Sequence, residues 1–208
     1  MVSAWIADVT PLLEQECYDR YYRSVPEFRQ KKAAALRLDQ MKAQSVGVWA
    51  LWQKIRERYR LPEEAAHNFS HSGTCVMCAV CTDGKAVRVG CDVEKLGKLR
   101  MNIAARSFCR EEYDAVAGAG TEEAQRELFF RYWVLKESFM KATGKGMALP
   151  VNSFCIRMGD PPVLVRQPEE FTDIYRYREY CIEDLPYRMA VCSTDTEIDT
   201  ELHTELTL

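Results

Sequence analysis

Trp133-Val134-Leu135-Lys136-Glu137-Ser138-Phe139-Met140-Lys141, running on to Gly144-Lys145-Gly146, is the stretch around which the rest of the chain is organised. Leu128, Tyr132, Leu135 and Phe139 recur at i, i+4, i+7 and i+11, one apolar stripe of a helix. At about 100° per residue, Glu137 and Lys141 share the opposite face, flanked by Phe129, Trp133 and Met140 on one edge and by Phe130 and Val134 on the other. A helix that is apolar nearly all round is normally buried. An acid and a base one turn apart inside such surroundings need a cation, an anion or each other to offset desolvation. A plain surface pair at i,i+4 is the competing reading of the same two residues, and the rest of the chain has to decide.

Outward from that helix, 208 residues allow one domain or two small ones, and 47% hydrophobic content is ample for a packed core. A net charge of −3 points to no partner, and no nucleic acid is expected. No apolar run approaches the roughly 18 to 20 residues of a membrane span, and Met1 to Asp8 meets an acid too early for a secretory segment. A cytoplasmic protein that does not engage membranes is the expectation. The nine cysteines are scattered through apolar segments and read as reduced thiols rather than a disulfide framework. Cys75-x-x-Cys78-x-x-Cys81 lies in an apolar strand, where Cys78 faces away from the other two. They read as small buried hydrophobes, not as ligands of one ion.

Val2 to Val9 predicts a strand, Leu12 to Tyr22 a helix, and Pro26-Glu27 opens a further segment. Between Arg20 and Lys42 seven basic residues stand against two acids, which suggests an anionic ligand or else a solvated helix face. Ser45 to Tyr59 predicts an amphipathic helix ended by Leu61-Pro62. From His67 the period changes to two: Asn68-Phe69-Ser70-His71-Ser72-Gly73 leads into the strand Cys75 to Cys81. Asp83-Gly84 then predicts a hairpin turn and Ala86 to Val93 a returning strand. On that strand Arg88, Gly90, Asp92 and Glu94 share one face. Two carboxylates at i and i+2 repel unless water or a cation sits between them, and Gly90 leaves room for a ligand. Asn102 to Tyr113 predicts an exposed helix. Strands are expected at Ser153 to Met158, Val163 to Val165, Arg178 to Glu183 and Tyr187 to Ser193, with a frayed acidic tail from Thr194.

Sliding the chain by 84 residues places Asp8-Val9 on Asp92-Val93, Trp49 on Trp133 and Leu51 on Leu135. The expected fold is α+β, two similar α/β halves related by a pseudo-twofold axis, residues 1–85 and 86–208, with a cleft between them. Only the second half carries chemistry, because Gln53 and Glu57 stand where Glu137 and Lys141 do.

Val89-Gly90-Cys91-Asp92-Val93-Glu94, then Trp133-x-x-Lys136-Glu137-Ser138-x-x-Lys141, with Asn68-Phe69-Ser70-His71-Ser72-Gly73 before both, resembles the 4′-phosphopantetheinyl transferases of the kind that activates surfactin synthetase. The resemblance runs from His67 to about Ser193 and more thinly back to Val2. It implies that Asp92, Glu94 and Glu137 hold magnesium, and that Ser70, His71 and Lys141 contact the pyrophosphate of coenzyme A. It also implies that Glu137, Lys141, His71 and Asp92 carry the catalysis, with a serine of an apo acyl- or peptidyl-carrier protein as acceptor and the segment 102–116 as its dock. Three carboxylates suit a hard divalent ion, and Lys141 and His71 can meet the charge of a pyrophosphate. A single chain with an internal duplication needs no dimer to build the cleft, so a monomer is expected. The sequence departs from the family where a basic residue and an arginine are usual, at Phe28 and Ala43, while Lys31 matches and Lys32 is a neighbour. A magnesium-dependent hydrolase of nucleotides or pyrophosphates is the alternative that the same acids and lysine allow.

Overall fold

The computed structural model describes residues 1–208. In chain order it contains β1 (Val2–Asp8), α1 (Gln15–Ser24), α2 (Glu27–Ala34), α3 (Asp39–Tyr59), β2 (His67–Ser72), β3 (Cys75–Cys81) and β4 (Val89–Lys95). There follow α4 (Met101–Ser107), α5 (Arg110–Ala117), α6 (Glu122–Ala142), β5 (Cys155–Arg157), β6 (Val163–Arg166), β7 (Arg176–Tyr180), β8 (Tyr187–Ser193) and β9 (Ile198–His203). The fold is α+β. One sheet has the order β2-β3-β1-β9 and a second the order β4-β8-β7, with β5 and β6 as a separate hairpin.

The central strands β1 and β3 are buried on both faces because both faces are covered. Trp5, Ala7 and Val9 pack with Val46, Trp52 and Ile55 of α3, while Val2, Ala4 and Ile6 meet Cys91, Val93, Met189 and Val191 of the other sheet. Beyond that sheet, Ala190 and Cys192 meet Leu135 and Phe139 of α6. The layers therefore run α3, sheet, sheet, α6, and the two sheets pack back to back. On β3, Cys78 belongs to the α3 side and Cys75 and Cys81 to the inter-sheet core, all three buried, as alternation along a strand requires. Thr121 caps α6 by accepting from the Ala124 N–H at 3.1 Å, with Glu122 and Glu123 in the first turn where the helix dipole favours acids.

Several expectations change. Asp83-Gly84 is no hairpin: β3 is already flanked by β2 and β1, so the chain leaves that sheet and β4 pairs antiparallel with β8. The predicted helix over 102–113 is two helices, α4 and α5, parted at Phe108-Cys109, whose extended backbone starts a new cap. The acidic tail is not frayed. Its β9 adds to β1 in parallel, so a strand from 86–208 completes the sheet built by 1–85. Nor do all cysteines stay reduced. Cys109 and Cys155 form a disulfide between the start of α5 and β5, leaving seven free. Their wide separation in sequence gives no local signature of the pairing.

Candidate active site

Three elements build the site: β2, β4 and α6. A Cβ on Gly90 would stand 2.0 Å from the Ser138 carbonyl oxygen and 2.4 Å from the Ala142 nitrogen, so only glycine lets α6 lie this close to β4. The space expected there for a ligand is filled by the helix itself. This approach swings Lys141 over β4, where its Nζ donates to Asp92 Oδ1 at 2.7 Å, to the Cys91 carbonyl at 3.0 Å and to Ser70 Oγ at 3.0 Å. Lys141 thus pairs across the layers rather than along its own helix. Glu137, half-buried one turn earlier, makes no hydrogen bond and no ion pair.

On β4 the two acids are gripped from β2. Ser70 Oγ donates to Asp92 Oδ1 at 2.7 Å and Ser72 Oγ to Glu94 Oε2 at 2.9 Å. Burial pushes the Asp92 carboxyl above its ordinary value, and Lys141 and Ser70 offset only part of that. Burial also raises Glu94, with Asp92 and Glu137 adding repulsion, and it raises Glu137, with Asp92 repelling. For Lys141 burial works the other way, but Asp92, Cys91 and Glu137 more than offset it and the ammonium stays charged. Asp92 Oδ2 is buried and has no partner.

An orphaned carboxylate oxygen beside two further acids that repel it fits a hard, oxygen-seeking divalent cation. The oxygens of Asp92, Glu94 and Glu137 do not all lie within 4.8 Å of one another, whereas two other groupings do. Those two are otherwise engaged. Cys109, Glu111 and Cys155 include the disulfide, and in the Cys81, Asp83 and Asp195 grouping Lys85 lies 2.8 Å from Asp83 and the amino terminus 3.1 Å from Asp195.

His71 is exposed on β2, next to Ser70. The protein mass around it, then the charges of Lys141 and Lys32, hold its imidazole below the ordinary value. Lys31 is exposed and paired with Glu27 at 2.7 Å. Phe28 is exposed and lies edge-on to Trp49 at 5.1 Å, with the Arg29 guanidinium 4.8 Å from the Trp49 ring. Ala43 is buried, and its neighbour Gln44 donates to the Gly73 carbonyl at 2.8 Å, steadying the turn after Ser72. In the segment 102–116, Phe108 packs inward on Phe129 and Tyr132, while Ile103, and Met101 just before the segment, are half-buried against the same cluster.

Lys136, part of the motif on α6 but given no role by spacing alone, has a structural one. It is fully buried, and its Nζ lies 2.9 Å from Glu112 Oε2 and donates to the Val151 and Phe154 carbonyls, each at 2.9 Å. Glu112, equally buried, also accepts from the N–H groups of Cys109 at 2.9 Å and Ile156 at 2.8 Å. This pair fixes α6 against α5 and β5 and so fixes the direction in which Glu137 points. A lysine inside an otherwise apolar helix face was the signal for it.

The profile of the 4′-phosphopantetheinyl transferase superfamily matches residues 88–192. The chain belongs to that superfamily. Among curated members, 4′-phosphopantetheinyl transferase Sfp of Bacillus subtilis is 34% identical over 140 residues, 67% of this chain and 59% of the relative. The L-aminoadipate-semialdehyde dehydrogenase-phosphopantetheinyl transferase of Mus musculus is 33% identical over 92 residues, 41% of this chain and 29% of its own. This superfamily member therefore spans less than two thirds of the curated relatives it matches. A solved Thermotoga maritima holo-(acyl-carrier-protein) synthase overlays 51% of this chain and 61% of its own, with a TM-score of 0.43 and 20% identity. No helix of the chain is long and apolar enough to cross a membrane.

Proposed function

We propose that the chain transfers the 4′-phosphopantetheine group of coenzyme A to a serine of an apo acyl- or peptidyl-carrier protein, releasing adenosine 3′,5′-bisphosphate. The observation that supports this reading is that Ser70 and Lys141 converge on Asp92 while Ser72 holds Glu94, in a chain of this superfamily. The acceptor oxygen bonds to the phosphorus that carries pantetheine, and the bond from that phosphorus to the bisphosphate oxygen breaks. Glu137, engaged by no donor and with its carboxyl raised by burial, takes the serine proton. Lys141, His71 and Ser70 face the diphosphate, and Lys141 and His71 stabilise charge on the leaving group. Lys31 and Lys32 on α2 receive the nucleotide end. A magnesium ion held by Asp92, Glu94 and Glu137 would neutralise the charge of the diphosphate.

Residues 1–85 thus supply the nucleotide contacts and residues 86–208 the acids, and a monomer working in the cytoplasm needs nothing from a second copy. Docking of the carrier falls to 102–116, where Ile103, with Met101 just before it, retains part of its apolar surface.

The test is mass spectrometry of an apo carrier protein after incubation with the chain, coenzyme A and magnesium. A gain of one phosphopantetheine, abolished by chelator, is expected. Release of nucleotide or phosphate with no mass gain on the carrier would favour a hydrolase and overturn the assignment.

A further inference from the structure

The strands β2 and β4 are edges of different sheets, and no backbone ladder joins them. Alternate side chains of β2 instead take up alternate N–H groups of β4. Asn68 Oδ1 accepts from Cys91 at 3.2 Å, Ser70 Oγ from Val93 at 3.2 Å and Ser72 Oγ from Lys95 at 3.1 Å. Two of these rungs also grip an acid, Ser70 donating to Asp92 and Ser72 to Glu94. A hydroxyl has one hydrogen and two lone pairs, so once the backbone N–H occupies a lone pair the hydrogen is directed to the carboxylate. Ser70 is held further by Lys141. Ser72 has only its two partners, and Glu94, repelled by Asp92 and Glu137, has no other donor.

We propose that Ser72 is a positioning residue whose hydroxyl, locked by the Lys95 N–H, orients Glu94 toward the divalent cation. A strand of the first half then sets the geometry of an acid in the second. The inference rests on the reading that Asp92, Glu94 and Glu137 hold that cation. Partners of this kind, which orient a ligand without touching the metal, typically change affinity by about 10- to 100-fold when removed.

The experiment compares the unaltered chain with Ser72→Ala, Ser72→Cys and Ser72→Thr. Titration calorimetry with Mn²⁺ alone is read beside the cation dependence of carrier modification and amide exchange at Lys95. Ala and Cys should each weaken Mn²⁺ binding about tenfold and raise the half-saturating cation concentration to match, with a smaller change in KM for coenzyme A. Lys95 exchange should quicken in Ala, and Thr, which keeps the hydroxyl, should restore all three readouts. Unchanged Mn²⁺ affinity in Ala and Cys, or a Thr variant no better than Ala, overturns the role of Ser72 while leaving the cation reading intact. An unaltered chain that binds no Mn²⁺ overturns both.

Discussion

The helices α3 and α6 each run for 21 residues on the outside of a sheet, yet only α6 sets a lysine against the acids of β4. With the shift of 84 residues, Leu51 falls on Leu135 and Ile55 on Phe139, all four without exposure, so the two helices share one burial frame. The difference between them sits on the flank of that frame. Gln53 donates to the Ser24 carbonyl at 3.2 Å and Glu57 is exposed, where α6 has the unengaged Glu137 and the bridging Lys141. The two helices agree at these buried positions and differ at two on the flank. Substitution at Glu137 should break this contrast most severely. Glu137→Gln is expected to slow carrier modification by at least about a hundredfold, the scale of a lost general base, with an unchanged denaturation midpoint. Gln53→Glu on α3 should leave the rate alone. A Glu137→Gln variant with near-normal turnover would mean that the flank of α6 is no different from that of α3.

The next contrast lies inside the frame. Trp52 and Lys136 correspond, and neither has any exposure. Trp52 stacks on His67 at 4.3 Å and Lys136 reaches Glu112 and the Val151 and Phe154 carbonyls, so each anchors the segment that follows its own helix. An indole does this by packing, an ammonium by hydrogen bonds that must all be made. Lys136→Met leaves the Glu112 carboxylate buried without its cation and should cost about 3–5 kcal/mol in denaturant unfolding. Adding Glu112→Gln removes the stranded charge and should recover part of the loss. If the double variant is no more stable than the single one, the pair is not coupled as its geometry indicates.

Much of this was legible because periodicity is local. The burial of α6, the alternation that turns Cys78 from Cys75 and Cys81, and the shared face of Asp92 and Glu94 all follow from spacing within one element. What escaped depends on which strand lies beside which. The 84-residue shift is even, so on the strands it lays the exposed Asp8 on the buried Asp92. In the fold Trp5 and Ala7 of β1 face α3 while Gly90 of β4 faces α6, and odd meets even. A slip of one residue exchanges the faces of a strand, so an ungapped repeat can be right on helices and wrong on strands. Pairing of β9 with β1, the serine rungs between β2 and β4, and the Cys109–Cys155 bond likewise join residues far apart in sequence, which no window of sequence contains.

The smallest effects sharpen the comparison at two glycines. Each half has one glycine at a close approach of its long helix, but on opposite partners: Gly47 lies on α3, against Val9 just past β1, and Gly90 on β4. A Cβ on Gly47 would meet side chains only, Val9 Cγ1 at 2.5 Å and Leu208 Cδ1 at 3.2 Å, whereas on Gly90 it would meet the backbone of α6. Side chains can turn aside, and alanine gains about 1 kcal/mol over glycine inside a helix, so Gly47→Ala should stay within about 1 kcal/mol of the parent. A helix backbone cannot turn aside. Gly90→Ala should lose at least the roughly 1–3 kcal/mol typical of overpacking and, by lifting α6, part Lys141 from Asp92 and lower the transfer rate as well. Denaturant unfolding of the two variants side by side reads the difference. Equal losses would mean that α6 rests on β4 no more tightly than α3 rests on its own sheet, and that Lys141 is held over Asp92 by something other than this contact.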